Sequence, residues 1–270
     1  MSLPTMHAPG VDRPMSEPLV CCIMLTRDRP AMAQRAVECF RSQTYERKVL
    51  FVLDTGKEEF PLWQSGGVYG EYVPGLRIDK STIGKLRNLA NHYANPQCLD
   101  ADIIAHWDDD DYSNPNRLAE QVALLQASGA EAVGYSDMLF WDERPLGEAL
   151  GISVVKDAKC QAAWLYSNPI SRYALGTSLC YWRKAWERVA FDDVPVGEDD
   201  RWCRKVRVCS TSSMLTVENG SIVPIPQEPR MIASIHGGNT SSKITPGHRQ
   251  WRRVPELDSY CRKHMRLEAK

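Results

Sequence analysis

Four consecutive aspartates, Asp108 to Asp111, are the feature that most constrains this chain. They follow the largely apolar run 103–107 and precede Pro115, so a buried strand would deliver all four carboxylates to one turn. Neighbouring like charges repel, and a fold that gathers them needs a cation or a polar ligand to stabilise them. A divalent ion held by one or two carboxylates commonly binds a diphosphate as well. The run therefore predicts a metal site in an enzyme that acts on a nucleotide diphosphate.

The composition is that of a globular chain with a substantial core. Its 270 residues are 43% hydrophobic, which is enough for one large α/β domain. The formal net charge of -1 argues against wholesale electrostatic binding of nucleic acid or anionic lipid. The nine cysteines form no Cys-x-x-Cys pair, which predicts reduced, mostly buried thiols. The sequence contains no apolar run long enough for a membrane span, and we expect a cytoplasmic protein.

Strands and helices are predicted to alternate along the first half of the chain. The Pro-rich segment 1–18 is expected to be a flexible leader, while Pro30 and Pro115 are placed to open helices. The predicted strands cover 19–25, 48–53 and 102–107, the predicted helices cover 30–42, 82–94 and 115–128, and the stretch 56–79 is predicted as loop. This order is typical of a doubly wound, mostly parallel sheet that binds ligands at the carboxyl ends of its strands.

The second half of the chain is predicted to be less regular. Its predicted strands cover 132–135, 138–141 and 178–182, its helices cover 183–189 and 198–205, and short strands and turns fill 214–235. The tail 246–270 is basic and carries Trp251 and Tyr260. Basic and aromatic residues together can bind a phosphate backbone and stack on bases, but a solvated amphipathic helix is the simpler interpretation of this tail.

Two other interpretations of the aspartate run compete with a substrate metal site. Asp109, Asp111, Ser113 and Glu120 have the spacing of the ligands in a calcium-binding loop, although Asn114 stands where such a loop needs glycine. An acidic turn exposed to solvent is the second alternative. The buried strand before the run and the helix that Pro115 opens favour the substrate metal site.

The segment from Trp107 to Pro115 resembles the aspartate motif of family 2 glycosyltransferases with the GT-A fold, in which an apolar strand ends in Asp-x-Asp-Asp and a proline opens the next helix. The resemblance implies an α/β fold of GT-A type. Its mixed, mostly parallel, doubly wound sheet would be flanked by helices and followed by a small carboxyl-terminal extension. The catalytic domain would then cover 19–245, with a nucleotide-binding half over 19–130 and an acceptor half over 131–245.

The same resemblance implies roles for individual aspartates. Asp108 would contact the ribose or base of a sugar nucleotide, and Asp110 would ligate a Mg²⁺ or Mn²⁺ ion that bridges its diphosphate. Asp109 and Asp111 would be supporting charges, with Asp109 on the side of the nucleotide sugar. His236 follows an apolar strand where similar proteins place a histidine beside the metal and diphosphate, although a lone histidine is more often structural.

Three further segments resemble the nucleotide site of the family. The segment 25–30 is similar to its first strand end, which implies that Thr26 and Arg27 bind the nucleotide. Asp54 falls where an aspartate reads the imide of uracil, and a carboxylate that faces a ring N–H favours a UDP-sugar. The segment 84–88 resembles a Gly-x-x-x-Arg-Asn motif, which implies that Arg87 lies near the nucleotide. Alternatively, Asp54 is a turn residue and Arg87 belongs to an exposed helix face.

The segment 197–200 resembles the Gly-Glu-Asp element that supplies the general base of inverting members. The resemblance implies that Asp199 is the base and that Glu198 belongs to the catalytic site. Asp200 is an alternative base because the additional acid leaves the register open by one residue. A structural interpretation also remains, because acidic residues favour the start of a helix. The segment 176–178 with Arg183 resembles the strand that lines the donor sugar, and the glycines after His236 are expected to let a loop close over the donor.

Together these residues imply a metal-dependent, inverting transfer of a single sugar, glucose or a close relative, from a UDP-sugar to an acceptor hydroxyl. The chain has no Gln-x-x-Arg-Trp motif of the processive synthases, so repeated extension is disfavoured. The acceptor is left open among a glycan or envelope component, a lipid-linked molecule and, through the basic tail, a hydroxymethylated base in viral DNA. The alternatives are a metal-dependent nucleotidyltransferase and a noncatalytic metal or nucleic acid binding module.

Overall fold

The computed structural model describes most of the chain. The described residues are 17–59, 61, 66–73, 82–97, 101–144, 160–168, 173–218, 221–224, 228–237 and 249–266. The predicted leader lies almost wholly outside these ranges, as does the polar loop predicted after Gly237.

The elements are numbered here in chain order. The helices are α1 (Pro30–Arg41), α2 (Ile83–Gln97), α3 (Arg117–Ser128), α4 (Arg183–Arg188), α5 (Glu198–Cys203) and α6 (Asp258–Met265). The strands are β1 (Val20–Thr26), β2 (Lys48–Asp54), β3 (Val68–Tyr72), β4 (Ile103–His106), β5 (Tyr112–Ser113), β6 (Ala132–Asp142), β7 (Ala162–Ser167), β8 (Cys180–Trp182), β9 (Val208–Ser212), β10 (Leu215–Glu218), β11 (Ser221–Pro224), β12 (Met231–Ile235) and β13 (Trp251–Arg253). Short 3-10 turns cover Gly176–Ser178 and Pro255–Leu257.

One mixed sheet runs through the described residues in the order β13-β7-β6-β8-β4-β1-β2-β3. The strands β4, β1, β2 and β3 are parallel, and β8 joins them antiparallel to β4. Strands β9 and β12 both pair in parallel with β6, while β5 pairs with β12 and β10 forms a separate hairpin with β11. The α/β architecture predicted from the sequence, with its mixed central sheet, is confirmed.

The apolar core lies on both faces of this sheet. Alternate residues of β1 point to opposite faces, so Cys22 and Met24 pack with α1 and α3 while Cys21 and Ile23 pack with α2 and α5. A strand that is buried on both faces needs apolar residues throughout, which explains the unbroken run in the sequence. The eight cysteines among the described residues are thiols, and six of them are buried, in line with the mostly buried set predicted from the sequence.

Two of the helix signals in the sequence are found where they were predicted, whereas α3 begins at Arg117 and not at Pro115. Pro30 is the first residue of α1, and α3 ends at Gly129, whose φ of 62° lies in the left-handed region that favours glycine. In the described ranges, each helix is too short or too polar to cross a lipid bilayer.

Three strand predictions were wrong. β3 lies inside the predicted loop 56–79, where it pairs with β2 at the edge of the sheet, and β7 lies in a stretch for which no strand was predicted. The two strands predicted at 132–135 and 138–141 are one strand, β6, whose register with β9 shifts between Tyr135 and Asp137. Pairing with a neighbouring strand stabilises these segments, and a sequence pattern does not contain that neighbour.

The basic tail contributes to the fold. β13 pairs antiparallel with β7, and Cys261 and Met265 of α6 are buried in an apolar cluster with Trp141 of β6. Arg262 and Lys263 of this helix are exposed.

We predict that Leu118→Ala destabilises the protein by about 2–5 kcal/mol, because Leu118 is fully buried between α3 and the sheet and its loss leaves a cavity. The matched control is Leu124→Ala in the same helix, where the side chain is only partly buried and a smaller loss is expected. Urea unfolding followed by circular dichroism measures both changes. Equal losses in the two variants would contradict this assignment of the core.

Candidate active site

The parallel strands β1, β2 and β4 end at the same edge of the sheet. Thr26 and Asp54 are register partners at the ends of β1 and β2, and the aspartate run follows β4. The Thr26 hydroxyl donates a hydrogen bond of 2.7 Å to Oδ2 of Asp109. The strand ends that the sequence predicted to meet are therefore in direct contact.

Three of the four aspartates converge on one point. Asp108, Asp110 and Asp111 each place one carboxylate oxygen within 4.8 Å of the other two. Asp111 is oriented by the Thr177 hydroxyl, which donates to its Oδ2 at 2.5 Å, and by the Ser234 backbone N–H, which donates to its Oδ1 at 3.0 Å. Mg²⁺ and Mn²⁺ prefer oxygen ligands, so these three carboxylates fit a hard divalent cation.

The electrostatics of this cluster also favour a cation. Burial, with repulsion from the neighbouring aspartates, raises the pKa of Asp109 to about 7 against the opposing effect of Arg29. Burial and the charges of Asp110 and Asp108 raise the pKa of Asp111 well above its ordinary value. Burial also disfavours the Asp110 carboxylate, but a hydrogen bond from His236 and the charge of Arg29 outweigh it and lower its pKa. Added positive charge would relieve this repulsion.

Arg29, rather than Arg27, reaches the aspartates. Its Nη2 lies 2.8 Å from Oδ1 of Asp109 and its Nη1 lies 3.0 Å from Oδ2 of Asp110. Arg27 is 44% exposed and pairs with the neighbouring Asp28 at 3.7 Å. Asp28 has a φ of 52°, so the chain turns between the two arginines. The sequence analysis missed Arg29, although it lies in the segment 25–30 that the resemblance singled out.

Arg87 is buried at the start of α2 and contacts three side chains. Its Nε donates to Oε1 of Glu198 at 3.0 Å, and its Nη1 lies 2.9 Å from Nδ1 of His106 and 3.7 Å from Oδ1 of Asp108. Burial alone would lower the pKa of Arg87, but the charges of Asp108 and Glu198 raise it. With 6% of its surface exposed, Arg87 does not belong to a solvent-facing helix face.

The three acids of the segment 198–200 point in three directions. Glu198 is turned inward onto Arg87. Asp200 has a side chain that is 41% exposed and pairs with Arg204 at 3.0 Å. Asp199 faces the cleft beside Gly176, where an added Cβ would come within 2.1 Å of its Oδ2. Glu198 and Asp199 both line the cleft, but Glu198 is paired with Arg87 at 3.0 Å.

His236 and Asp54 both lie at this edge of the sheet, and the His236 side chain contacts the aspartate run. Nε2 of His236 is 2.9 Å from Oδ2 of Asp110 and 3.5 Å from Nη1 of Arg29. Asp54 is 2% exposed, and its Oδ1 accepts a hydrogen bond of 2.7 Å from the Gly56 N–H. Asp54 is not among the described residues that line the cleft.

A cleft of about 280 Å³ joins these groups. Arg29, Arg87 and Asp108 to Asp111 line it, and so do Asp199, Tyr173 and Val196. The same cavity thus contains the aspartate cluster and the Asp199 carboxylate.

The turn that carries the aspartates is also held from the carboxyl-terminal side, which the sequence did not indicate. Arg35 of α1 donates from Nη2 to the Asp110 carbonyl at 2.6 Å and from Nη1 to the Met265 carbonyl at 2.5 Å. The ring of Tyr112 packs against His264 at 4.5 Å between centroids. Helix α6 therefore supports the turn although it is distant in sequence.

Comparison with solved structures identifies the architecture. The chain is similar to S. aureus TarS 1-349 in complex with UDP-GlcNAc, with a TM-score of 0.53 and 14% identity over 84% of this chain and 62% of that chain. It is also similar to the mannosyltransferase PcManGT from Pyrobaculum calidifontis in complex with GDP-Man and Mn²⁺, with a TM-score of 0.50 and 18% identity over 76% of this chain and 58% of that chain. This chain has the GT-A fold. The expectation from the sequence is confirmed at the level of fold.

Sequence comparison adds nothing to this likeness. No protein-family profile matches the chain, and no curated protein matches it by sequence. The chain also spans less than two thirds of the two solved chains, 62% of TarS 1-349 and 58% of PcManGT.

We predict that Glu198→Ala destabilises the fold by about 3–5 kcal/mol, because it leaves the buried Arg87 guanidinium without its nearest carboxylate. The matched control is Glu187→Ala, whose side chain is 44% exposed and whose pair with Arg183 contributes at most about 1 kcal/mol. Urea unfolding of both variants gives the comparison. A loss in Glu198→Ala no larger than in the control would show that the buried pair is not structural.

Proposed function

We propose that this chain is a metal-dependent, inverting glycosyltransferase that moves one sugar from a UDP-sugar to an acceptor hydroxyl. The observation that carries the proposal is the GT-A cleft, whose lining includes both the Asp108, Asp110 and Asp111 cluster and the Asp199 carboxylate. In this proposal, residues 19–130 form the nucleotide-binding half, which contains the aspartate run. Residues 131–245 form the acceptor half, which contains Asp199.

The donor proposal is supported by what the similar proteins bind. TarS 1-349 was solved with UDP-GlcNAc and with UDP, and PcManGT with GDP-Man. We place the nucleotide at the strand ends beside Thr26 and Asp108, with Arg29 and Arg87 as the cations near its diphosphate. Asp54, the register partner of Thr26, is the proposed contact for the uracil imide.

Asp108, Asp110 and Asp111 are the residues that would hold a Mn²⁺ or Mg²⁺ ion, and His236 is the proposed further ligand through Nε2. When bound, the ion supplies positive charge that stabilises the departing diphosphate. Thr177 and the Ser234 N–H hold the Asp111 carboxylate in a fixed position. A site ordered in this way needs little rearrangement as charge develops on the leaving group.

Asp199 is the proposed general base. Its Oδ1 accepts a hydrogen bond of 2.9 Å from the Asp200 N–H, which orients the carboxylate, while Oδ2 faces Gly176. The carboxylate takes the proton of the acceptor hydroxyl as the oxygen of that hydroxyl bonds to the anomeric carbon. The bond from the anomeric carbon to the diphosphate breaks, and UDP leaves with the electron pair. A single displacement with one base and no protein nucleophile inverts the anomeric configuration.

We predict that Asp110→Asn lowers metal-dependent turnover by about 100-fold or more, because the variant loses a charged oxygen from the cluster. The measurement is UDP release from a panel of UDP-sugars at increasing Mn²⁺ concentration, with Asp28→Asn as an exposed control at the same sheet edge. Unchanged turnover would place the metal site elsewhere. Release of pyrophosphate from nucleoside triphosphates by the wild-type protein would instead indicate a nucleotidyltransferase.

We predict that Asp199→Asn loses sugar transfer by about 100-fold or more, since proton removal requires the carboxylate, while Mn²⁺-dependent UDP binding is retained. Asp200→Asn is the matched control, because Asp200 pairs with Arg204 away from the cleft, and its transfer rate should be close to wild type. Transfer assays give the rates, calorimetry gives UDP binding, and proton NMR of the product gives the anomeric configuration. If transfer is lost in Asp200→Asn and kept in Asp199→Asn, the general base is Asp200.

A further inference from the structure

The wall of the cleft beside Asp199 is apolar and aromatic. Tyr173, Pro195 and Val196 line this part, and the largely buried Phe140 and Leu175 also belong to the cleft lining. Val196 is 53% exposed, and among the described residues only Tyr69, which lies outside the cleft, is another large hydrophobic side chain with marked exposure. An exposed apolar side chain at the rim of a cleft, next to further apolar wall, is typical of a contact surface for a ligand.

The aromatic rings behind this wall are fixed before any ligand binds. Phe140 packs edge-on against Trp251 at 4.8 Å between centroids, and Tyr166 packs against Trp251 at 5.0 Å. The Tyr173 side chain packs on the same apolar cluster and is hydrogen-bonded to the Tyr166 side chain. Tyr166 in turn accepts a hydrogen bond of 3.3 Å from Asn168. Rings that are held in this way offer a rigid surface at little cost in conformational entropy.

Tyr173 and Asp199 belong to one continuous part of the cleft. Tyr173 lies three residues before Gly176, and the Asp199 carboxylate lies directly over Gly176. Burial raises the pKa of the Tyr173 hydroxyl, and the charges of Tyr166 and Asp199 add to this rise. A ring placed against Tyr173 and Val196 would therefore have its edge near the Asp199 carboxylate.

Charge selects among the acceptor classes. The described lining of the cleft carries six carboxylates, namely Asp108, Asp109, Asp110, Asp111, Glu198 and Asp199, but only two cations, Arg29 and Arg87. Arg29 is paired with Asp109 and Asp110, and Arg87 is paired with Glu198 and Asp108, so both positive charges are already compensated. A phosphodiester strand would meet net negative charge in the described lining. The basic residues Arg262, Lys263 and Arg266 line a different cleft with Trp141 and Glu143.

We propose that the wall formed by Tyr173, Pro195 and Val196 is the acceptor subsite and that it takes an uncharged sugar ring, so that the acceptor is a neutral glycan rather than a nucleic acid. This inference rests on the proposed function. The apolar face of a sugar ring packs on an aromatic surface, and its hydroxyl edge would point toward Asp199.

The test uses neutral p-nitrophenyl glycosides as acceptors, with a hydroxymethylated DNA oligonucleotide in a parallel arm. We expect the wild-type protein to transfer sugar to at least one glycoside. Val196→Ser should raise the KM for that glycoside severalfold, and Tyr173→Ala should raise it by about 10-fold or more through loss of the ring. Neither change should alter Mn²⁺-dependent UDP binding. Tyr173→Phe keeps the ring and should recover most of the glycoside affinity that Tyr173→Ala loses.

The control variant is Tyr69→Ala, which removes the other exposed apolar side chain away from the cleft and should leave the glycoside KM unchanged. Val196 is exposed, so its variant reports on the subsite even if Tyr173→Ala unfolds. Transfer to the oligonucleotide alone, or UDP-sugar hydrolysis without transfer to any glycoside, overturns this inference while leaving the proposed function intact. Equal changes in UDP binding and glycoside KM also overturn it. Absence of Mn²⁺-dependent UDP-sugar binding in the wild-type protein overturns both.

Discussion

Repulsion among buried carboxylates is the constraint on which the rest of this structure depends. Asp109 and Asp111 are 1% and 6% exposed, and each sits beside other aspartates in a setting that strongly disfavours its charged form. Ionised groups in such a place persist only when cations and hydrogen-bond donors surround them. Arg29 and Arg87 supply the positive charge from two different helix starts. The cluster is therefore unfavourable on its own and is stabilised by what the fold brings to it.

The donors that complete the cluster come from distant parts of the chain. Thr26 is 83 residues from Asp109, Thr177 is 66 residues from Asp111, and Ser234 is 123 residues from Asp111. Arg117 extends this arrangement beneath the turn, because its fully buried guanidinium donates to the His106 and Thr177 carbonyls. The site is therefore complete only when the sheet has brought these distant segments together.

Sequence patterns located the elements better than they located side-chain directions. The strand ends at Thr26, Asp54 and Asp108 could be predicted because unbroken apolar runs mark strands buried on both faces. Apolar runs do not show whether Arg27 or Arg29 reaches the aspartates. Asp28, between them, has a left-handed backbone conformation that turns the chain. Likewise the acids 198–200 look equivalent in sequence, while one turn of α5 directs Glu198 onto Arg87, Asp199 into the cleft and Asp200 to solvent.

By itself, the sequence determined the alternating α/β order, the parallel strands and the presence of a concentrated acidic turn, because apolar periodicity and charge are local properties. Only the tertiary structure decided which arginine pairs with which aspartate and which acid faces the cleft. It also decided that α6 and Arg35 support the turn that carries the aspartates. These outcomes depend on contacts between residues far apart in the chain. Their free energies arise only once the sheet has brought the strand ends and helix starts together.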